Sequence, residues 1–266
     1  MKDWKELNER PSINVNQDML YESTRPKVEE ISKQFRESQS GAISIEDFFR
    51  PNVVGEIAEE IENINDTSWK YFFRDHINGV NKTKQKPAPN SESLFRAKYD
   101  NKINNFLKQT HEHNSRGEFS FFCERTDIIA DKRVNNRSDV LSELVEFLNS
   151  SHCLSFLSSI YGEQLKLLES HVAKYKRGYF SGIKQDNVKG AKLFVSFNLS
   201  PHWRYEYGGV LHLLNKTKEK VIETPSVNFN SAILSKFLKS GSIPYTISPV
   251  VNVLEKQKIF YNCYFG

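Results

Sequence analysis

The chain has 266 residues, enough for one large domain with a well-buried core or for two small ones. With 38% hydrophobic and 26% charged residues, its composition is that of a folded water-soluble protein and excludes a disordered one. The formal charge of +4 is too diffuse for a nucleic-acid partner, and neither an RNP-like motif nor a zinc-finger spacing occurs.

Other features narrow the class further. No apolar run approaches the roughly 18 residues of a membrane span, and the opening Met1-Lys2-Asp3-Trp4-Lys5-Glu6 lacks the apolar core of a leader, so no membrane partner is expected. Cys123, Cys153 and Cys263 are too far apart for a disulfide framework, which fits a reducing, cytoplasmic setting.

In chain order, residues 1–22 read as a polar arm and 23–266 as a single domain. A first helix is expected over Ser23–Glu37, with Val28, Ile31 and Phe35 at helical spacing. Ile43–Phe49 reads as a short strand running into a turn. Pro51 opens a second helix with Val53, Val54, Ile57, Ala58 and Ile61 on one face. Trp69–Arg74 and Glu118–Arg125 read as strands. Residues 81–93, with Lys82, Lys84 and Lys86, read as a solvated loop, and His111-Glu112-His113 as part of another. Two helices follow, one capped by Ser138 with Val140, Leu141, Leu144, Val145 and Leu148 inward. The other is capped by Ser151, with Leu154, Leu157 and Ile160 inward, and ends at Gly162. Strands are expected at Leu167–Tyr175, Ala191–Leu199, Gly209–Leu214, Ser226–Leu234, Ile247–Val253 and Lys258–Phe265. Helices followed by many short strands predict an α+β, mainly β domain: helical support over 23–162 and the main β core over 163–266.

One constellation stands out. Tyr175-Lys176-Arg177-Gly178-Tyr179-Phe180-Ser181-Gly182-Ile183-Lys184-Gln185-Asp186 is followed by Asn198-Leu199-Ser200-Pro201-His202-Trp203, then Tyr207-Gly208-Gly209-Val210-Leu211, then Tyr245-Thr246-Ile247-Ser248-Pro249-Val250. In order and spacing this resembles the core of the iron(II)/2-oxoglutarate dioxygenases, in particular the prolyl-4-hydroxylase-like branch, over about residues 43–266. The resemblance implies a double-stranded β-helix, a jelly-roll or cupin-like core with N-terminal packing helices. In that family two imidazoles and a carboxylate hold iron(II). Here Lys184 and Tyr245 stand at the imidazole positions and Asp186 keeps the carboxylate. The resemblance also places Tyr175 and Lys258 where the family contacts 2-oxoglutarate.

An amine and a phenol are poor metal ligands at pH 7. Removing both protons would cost roughly 1.4 kcal/mol per pKa unit, about 8 to 9 kcal/mol in sum. Lys184 as an ammonium can instead pair with Asp186, so that no cofactor is bound there. The alternative ligand set is Asp186 with His171 or His212, which would admit Fe(II) and 2-oxoglutarate. Plainer expectations are a core role for Trp203 and Phe180, pocket-lining for Tyr175, Tyr179 and Tyr245, and a backbone-satisfying amide at Asn228.

Three functions follow. The first is a degenerate, iron-independent member of the family, a binding protein or pseudoenzyme that takes an acidic small molecule between Lys184 and Lys258 or serves as silent partner of an active homologue. The second is an active hydroxylase of a peptide or metabolite with rearranged ligands. The third is a metal-free acid–base enzyme using catalytic Lys184, Asp186 and Tyr245.

Overall fold

The computed structural model describes residues 19–20, 27–75, 82–87, 95–118, 120–127, 139–184, 186–238, 241–252, 254 and 256–266. The proposed N-terminal arm, but for Met19 and Leu20, and the Ser138 cap lie outside them.

The elements are α1 (Val28–Glu37), β1 (Ala42–Ile45), α2 (Pro51–Glu62), β2 (Lys70–Asp75), β3 (Lys82–Pro87), α3 (Phe95–Ser115), β4 (Phe121–Thr126), α4 (Asp139–Asn149), α5 (Ser151–Tyr161), β5 (Leu167–Tyr175), β6 (Phe180–Lys184), β7 (Leu193–Asn198), β8 (Leu211–Leu214), β9 (Val221–Glu223), β10 (Ser231–Leu238), β11 (Gly241–Ser242), β12 (Tyr245–Ile247) and β13 (Lys258–Phe265). The strands form one curled antiparallel sheet, ordered β1-β10-β7-β13-β5-β4-β6-β12-β8-β9, with the β2–β3 hairpin on β4 and β11 on β10. This is the expected mainly β core with packing helices.

Strand alternation separates two cores. On β13, Ile259, Tyr261, Cys263 and Phe265 face the helical layer, where they meet Ile57, Leu144, Leu157 and Ile160. Phe260 faces the inside of the curl with Ala173, Tyr175, Leu211, Tyr245 and Ile247. Lys258, Asn262 and Tyr264 share its parity and therefore its face. All five apolar residues expected on α2 are buried.

Several boundaries differ from the sequence reading. Residues 82–87 are strand, paired with β2 from Lys70↔Pro87 to Asp75↔Lys82. Their lysine-rich composition hid this, although lysine is what natural sheets place on an edge. His111 and His113 sit on α3, not in a loop. That helix carries Ile103, Phe106, Leu107 and Thr110 at helical spacing, diluted by polar neighbours. The α5 cap is Ser150, whose Oγ accepts from Cys153 N at 3.2 Å, rather than Ser151. Gly162 does end the helix in the left-handed region, φ +94°. Described α1 starts at Val28, β10 starts only at Ser231, and β12 covers Tyr245–Ile247 rather than 247–253.

The amide role expected of Asn228 belongs to Asn230 and Asn198. Asn230, at φ +67°, exchanges hydrogen bonds with both backbone groups of Phe49. Asn198 Nδ2 donates to the carbonyls of Val227 and Asn228. The Asn228 side chain instead donates to Glu46. Gly208 and Gly209 are both at positive φ, and a Cβ on Gly208 would lie 1.9 Å from Pro249 O. Only glycine lets these two segments approach so closely.

Candidate functional site

Strand pairing brings the sequence-predicted centre together. Tyr245 on β12 lies opposite Lys184, the last residue of β6. Just beyond, Asp186 is clamped by β11: its N–H donates to Ser242 Oγ (2.8 Å) and its carbonyl accepts from Ser242 N (2.9 Å). The fixed carboxylate is then fully engaged. Oδ1 pairs with Lys184 Nζ at 2.8 Å. Oδ2 accepts from Tyr245 Oη at 2.7 Å and from Tyr264 Oη at 3.0 Å.

The electrostatics follow from this packing. Burial opposes ionisation of Asp186, but the Lys184 charge and the three donors outweigh it and hold the carboxyl below its ordinary range. Burial likewise opposes the Lys184 charge, yet the Asp186 carboxylate outweighs it and raises the amine above its ordinary value. Burial and the neighbouring carboxylate push both Tyr245 and Tyr264 well up. The result is an ammonium, a carboxylate and two neutral phenols. Sequence reasoning missed Tyr264, although it lies at Lys258 plus six, on the inward parity of β13.

The remaining predicted residues are dispersed. Lys258 is 1% exposed and donates to Asn198 Oδ1 at 2.8 Å, between the rings of Trp203 and Phe260. It lies six positions before Tyr264 on one strand, about 20 Å along the backbone at ~3.3 Å per residue. Phe260 and Asn262 hold the inward positions between. His212 is opposite Thr246, on the parity that faces away from Tyr245, and bonds Thr224 Oγ1 at 2.9 Å. Among the described residues no group of three or more His, Cys, Asp or Glu is placed to hold a metal ion. Of the tyrosines, Tyr175 and Tyr245 line the inner cavity. Tyr179 instead points its hydroxyl at Glu124, 3.4 Å away. Glu124 also pairs with buried Lys174 and with the partly exposed Lys176, a second network.

That inner cavity measures about 20 Å³, and its walls include Cys123, Arg125, His171, Tyr175, Lys184, Ser196, Tyr245 and Asn262. Burial lifts the Cys123 thiol to about 11, so it stays protonated. His171 is 4% exposed. Asn262 Nδ2 donates to its Nε2 at 3.2 Å, while Asn262 Oδ1 accepts from Ser196 Oγ. The neutral ring therefore carries its proton on Nδ1, which is buried and, among the described residues, has no hydrogen-bond partner. Burial, then the charges of Arg125 and Lys184, keep His171 well below its ordinary value.

A pH dependence follows. His171 is neutral when folded but takes a proton near pH 6.5 when unfolded. Its contribution is intact above that pH and erodes as pH falls, by at most about 1.4 kcal/mol per pH unit. Denaturant melts from pH 7.5 to 5 should show this slope in the wild type and not in His171→Phe. Equal slopes would mean that the imidazole is not held neutral.

Neither a protein-family model nor a curated protein matches the chain. Solved structures do. A 2OG-Fe(II) oxygenase family oxidoreductase from Burkholderia pseudomallei superposes with a TM-score of 0.57 at 9% identity, covering 90% of each chain. A prolyl-4-hydroxylase from Pseudomonas putida gives 0.52 at 11% identity, over 90% of this chain and 99% of the other. A prolyl hydroxylase from Trichoplax adhaerens, solved with a hypoxia-inducible-factor peptide fragment, gives 0.52 at 15%, over 91% and 90%. The two-core curled sheet with its helical backing is thus the fold of the 2-oxoglutarate/iron(II) oxygenases, as the motif order in the sequence implied.

Proposed function

We propose that this is an iron-independent protein of prolyl-4-hydroxylase-like fold, a binding protein or pseudoenzyme, in which an ion and hydrogen-bond network fills the metal position. The observation that carries the reading is the saturated Asp186 carboxylate. Iron(II) would need at least one of its oxygens, yet one is held by an ammonium and the other by two phenols. The donors beside it do not fit the metal either, since both Lys184 and Tyr245 would have to lose protons that their surroundings hold tightly. The cavity is also far too small for a dicarboxylic acid such as 2-oxoglutarate.

An acid–base enzyme is less well supported. An amine raised above its ordinary value by a carboxylate 2.8 Å away is not a base near neutrality. An acidic ligand gripped by Lys184 and Lys258 together is disfavoured too, because Lys258 does not line the cavity.

Anaerobic titration with Fe(II) or Co(II), followed by metal analysis, tests the proposal. We expect no stoichiometric binding and no succinate from added 2-oxoglutarate. One equivalent of metal, lost in Asp186→Asn, would overturn it.

A further inference from the structure

We infer that the inner cavity is a site for one small monovalent anion, of the size of a halide or formate, received by Arg125, Lys184 and the free N–H of His171. The inference deepens the iron-independent binding reading and rests on it. Three independent features meet in this space.

The first is size. A volume of about 20 Å³ holds a single small occupant, since one water needs roughly 10–15 Å³ on the same measure. The second is charge. Arg125 and Lys184 both line the cavity, whereas their acidic partners Asp127 and Asp186 do not. The resulting positive field is felt by two wall groups: both cations favour the thiolate of Cys123, and both disfavour protonation of His171.

The third feature is an unmet donor. His171 Nδ1 is buried with no hydrogen-bond partner among the described residues, while the opposite ring nitrogen is fixed by Asn262 and through it by Ser196. Leaving such a donor bare costs about 1–3 kcal/mol. An acceptor in the cavity removes that cost, and an anionic acceptor gains more from the two cations. The apolar remainder of the wall, with Phe72, Phe194, Leu211 and Phe260 among it, strips water from the occupant, which selects weakly hydrated monovalent ions over sulfate or phosphate.

Bromide tests this directly, because it scatters anomalously and matches the space. In crystals soaked in sodium bromide, we expect one anomalous peak within hydrogen-bond distance of His171 Nδ1. In solution at constant ionic strength, bromide should raise the melting temperature saturably against a gluconate control. The half-saturating concentration should rise about tenfold or more in Arg125→Gln, the scale of one lost charge-assisted hydrogen bond. His171→Phe, which keeps the ring stacked on Tyr264, should shift it in the same direction. Lys184 is left intact because it also holds Asp186. A cavity without a bromide peak, or the same bromide response in both variants as in wild type (a general salt effect), would overturn the inference. Metal titration reports separately: iron bound through Asp186 ends the iron-independent reading, whereas an empty cavity with no bound metal ends only the anion site.

Discussion

Asp186→Ala is expected to destabilise the fold by about 3 kcal/mol, the low end of the cost of stranding a buried charge, because the Lys184 side chain keeps 23% of its surface exposed. The substitution leaves Lys184 without a counter-ion and the hydroxyls of Tyr245 and Tyr264 without an acceptor, inside a wall of aromatic rings. Asp186→Asn should cost less, because an amide oxygen still accepts. The double variant Lys184→Met/Asp186→Leu should recover much of the loss, since it removes both charges together. The pH profile gives an independent check. The Asp186 carboxyl is held below its unfolded value of about 3.9, so its contribution is present above that pH and lost as pH falls further. The Lys184 amine is held above its unfolded value of about 10.4, so its contribution is full below that pH and lost as pH climbs past it. The difference between wild type and Asp186→Ala should therefore be flat from about pH 4 to neutrality, shrink below about pH 4, and shrink again toward pH 10 as the stranded amine of the variant, unlike that of the wild type, gives up its proton. A loss below 1 kcal/mol in denaturant titrations at pH 7 would show that the network is loosely made and solvated.

The Lys184–Asp186 pair could be read from the chain because its spacing is local: the amine and the carboxylate lie two positions apart where a strand ends. Tyr245 was also legible, through its place before Ile247-Ser248-Pro249-Val250. Tyr264 was not, since its role depends on which parity of β13 faces inward and on how far β13 runs past β5. Arg125 was hidden, and His171 was singled out only as an alternative metal ligand, for a related reason. They lie on neighbouring strands, but β4 pairs with β5 by Arg125↔Ala173 and Thr126↔Val172, a register that no local pattern announces. Strong single-face periodicity made α2 readable residue by residue. The same test failed on α3, where Ile103, Phe106 and Leu107 are diluted by polar neighbours, and on β3, where alternating lysines resemble a loop. Lys258 was legible as a cation, but the sequence could not say that it would be buried against Asn198 rather than beside Lys184.

Lys258→Met is expected to raise stability, by about 1 kcal/mol or more at pH 7. The ammonium is 1% exposed and, among the described residues, forms no ion pair. It donates to the Asn198 amide oxygen, and two ring faces lie against it. That falls short of hydration, and burial drives the amine well below its ordinary value. Methionine fills the same stem volume against Gly209, while Asn198 Oδ1 keeps the Ser200 N–H at 3.3 Å. Above about pH 10.4 the lysine is neutral in both states and carries no penalty. As pH falls, the unfolded chain takes up the proton first, and the wild type loses about 1.4 kcal/mol per unit until the folded amine protonates too. The advantage of Lys258→Met should therefore vanish near pH 11 and grow toward neutrality. If the variant instead melts lower at pH 7, the ammonium is a structural tie between β13 and β7. If it melts higher, the lysine weakens the very core it sits in, and the reason for a cation at that depth lies in something other than folding.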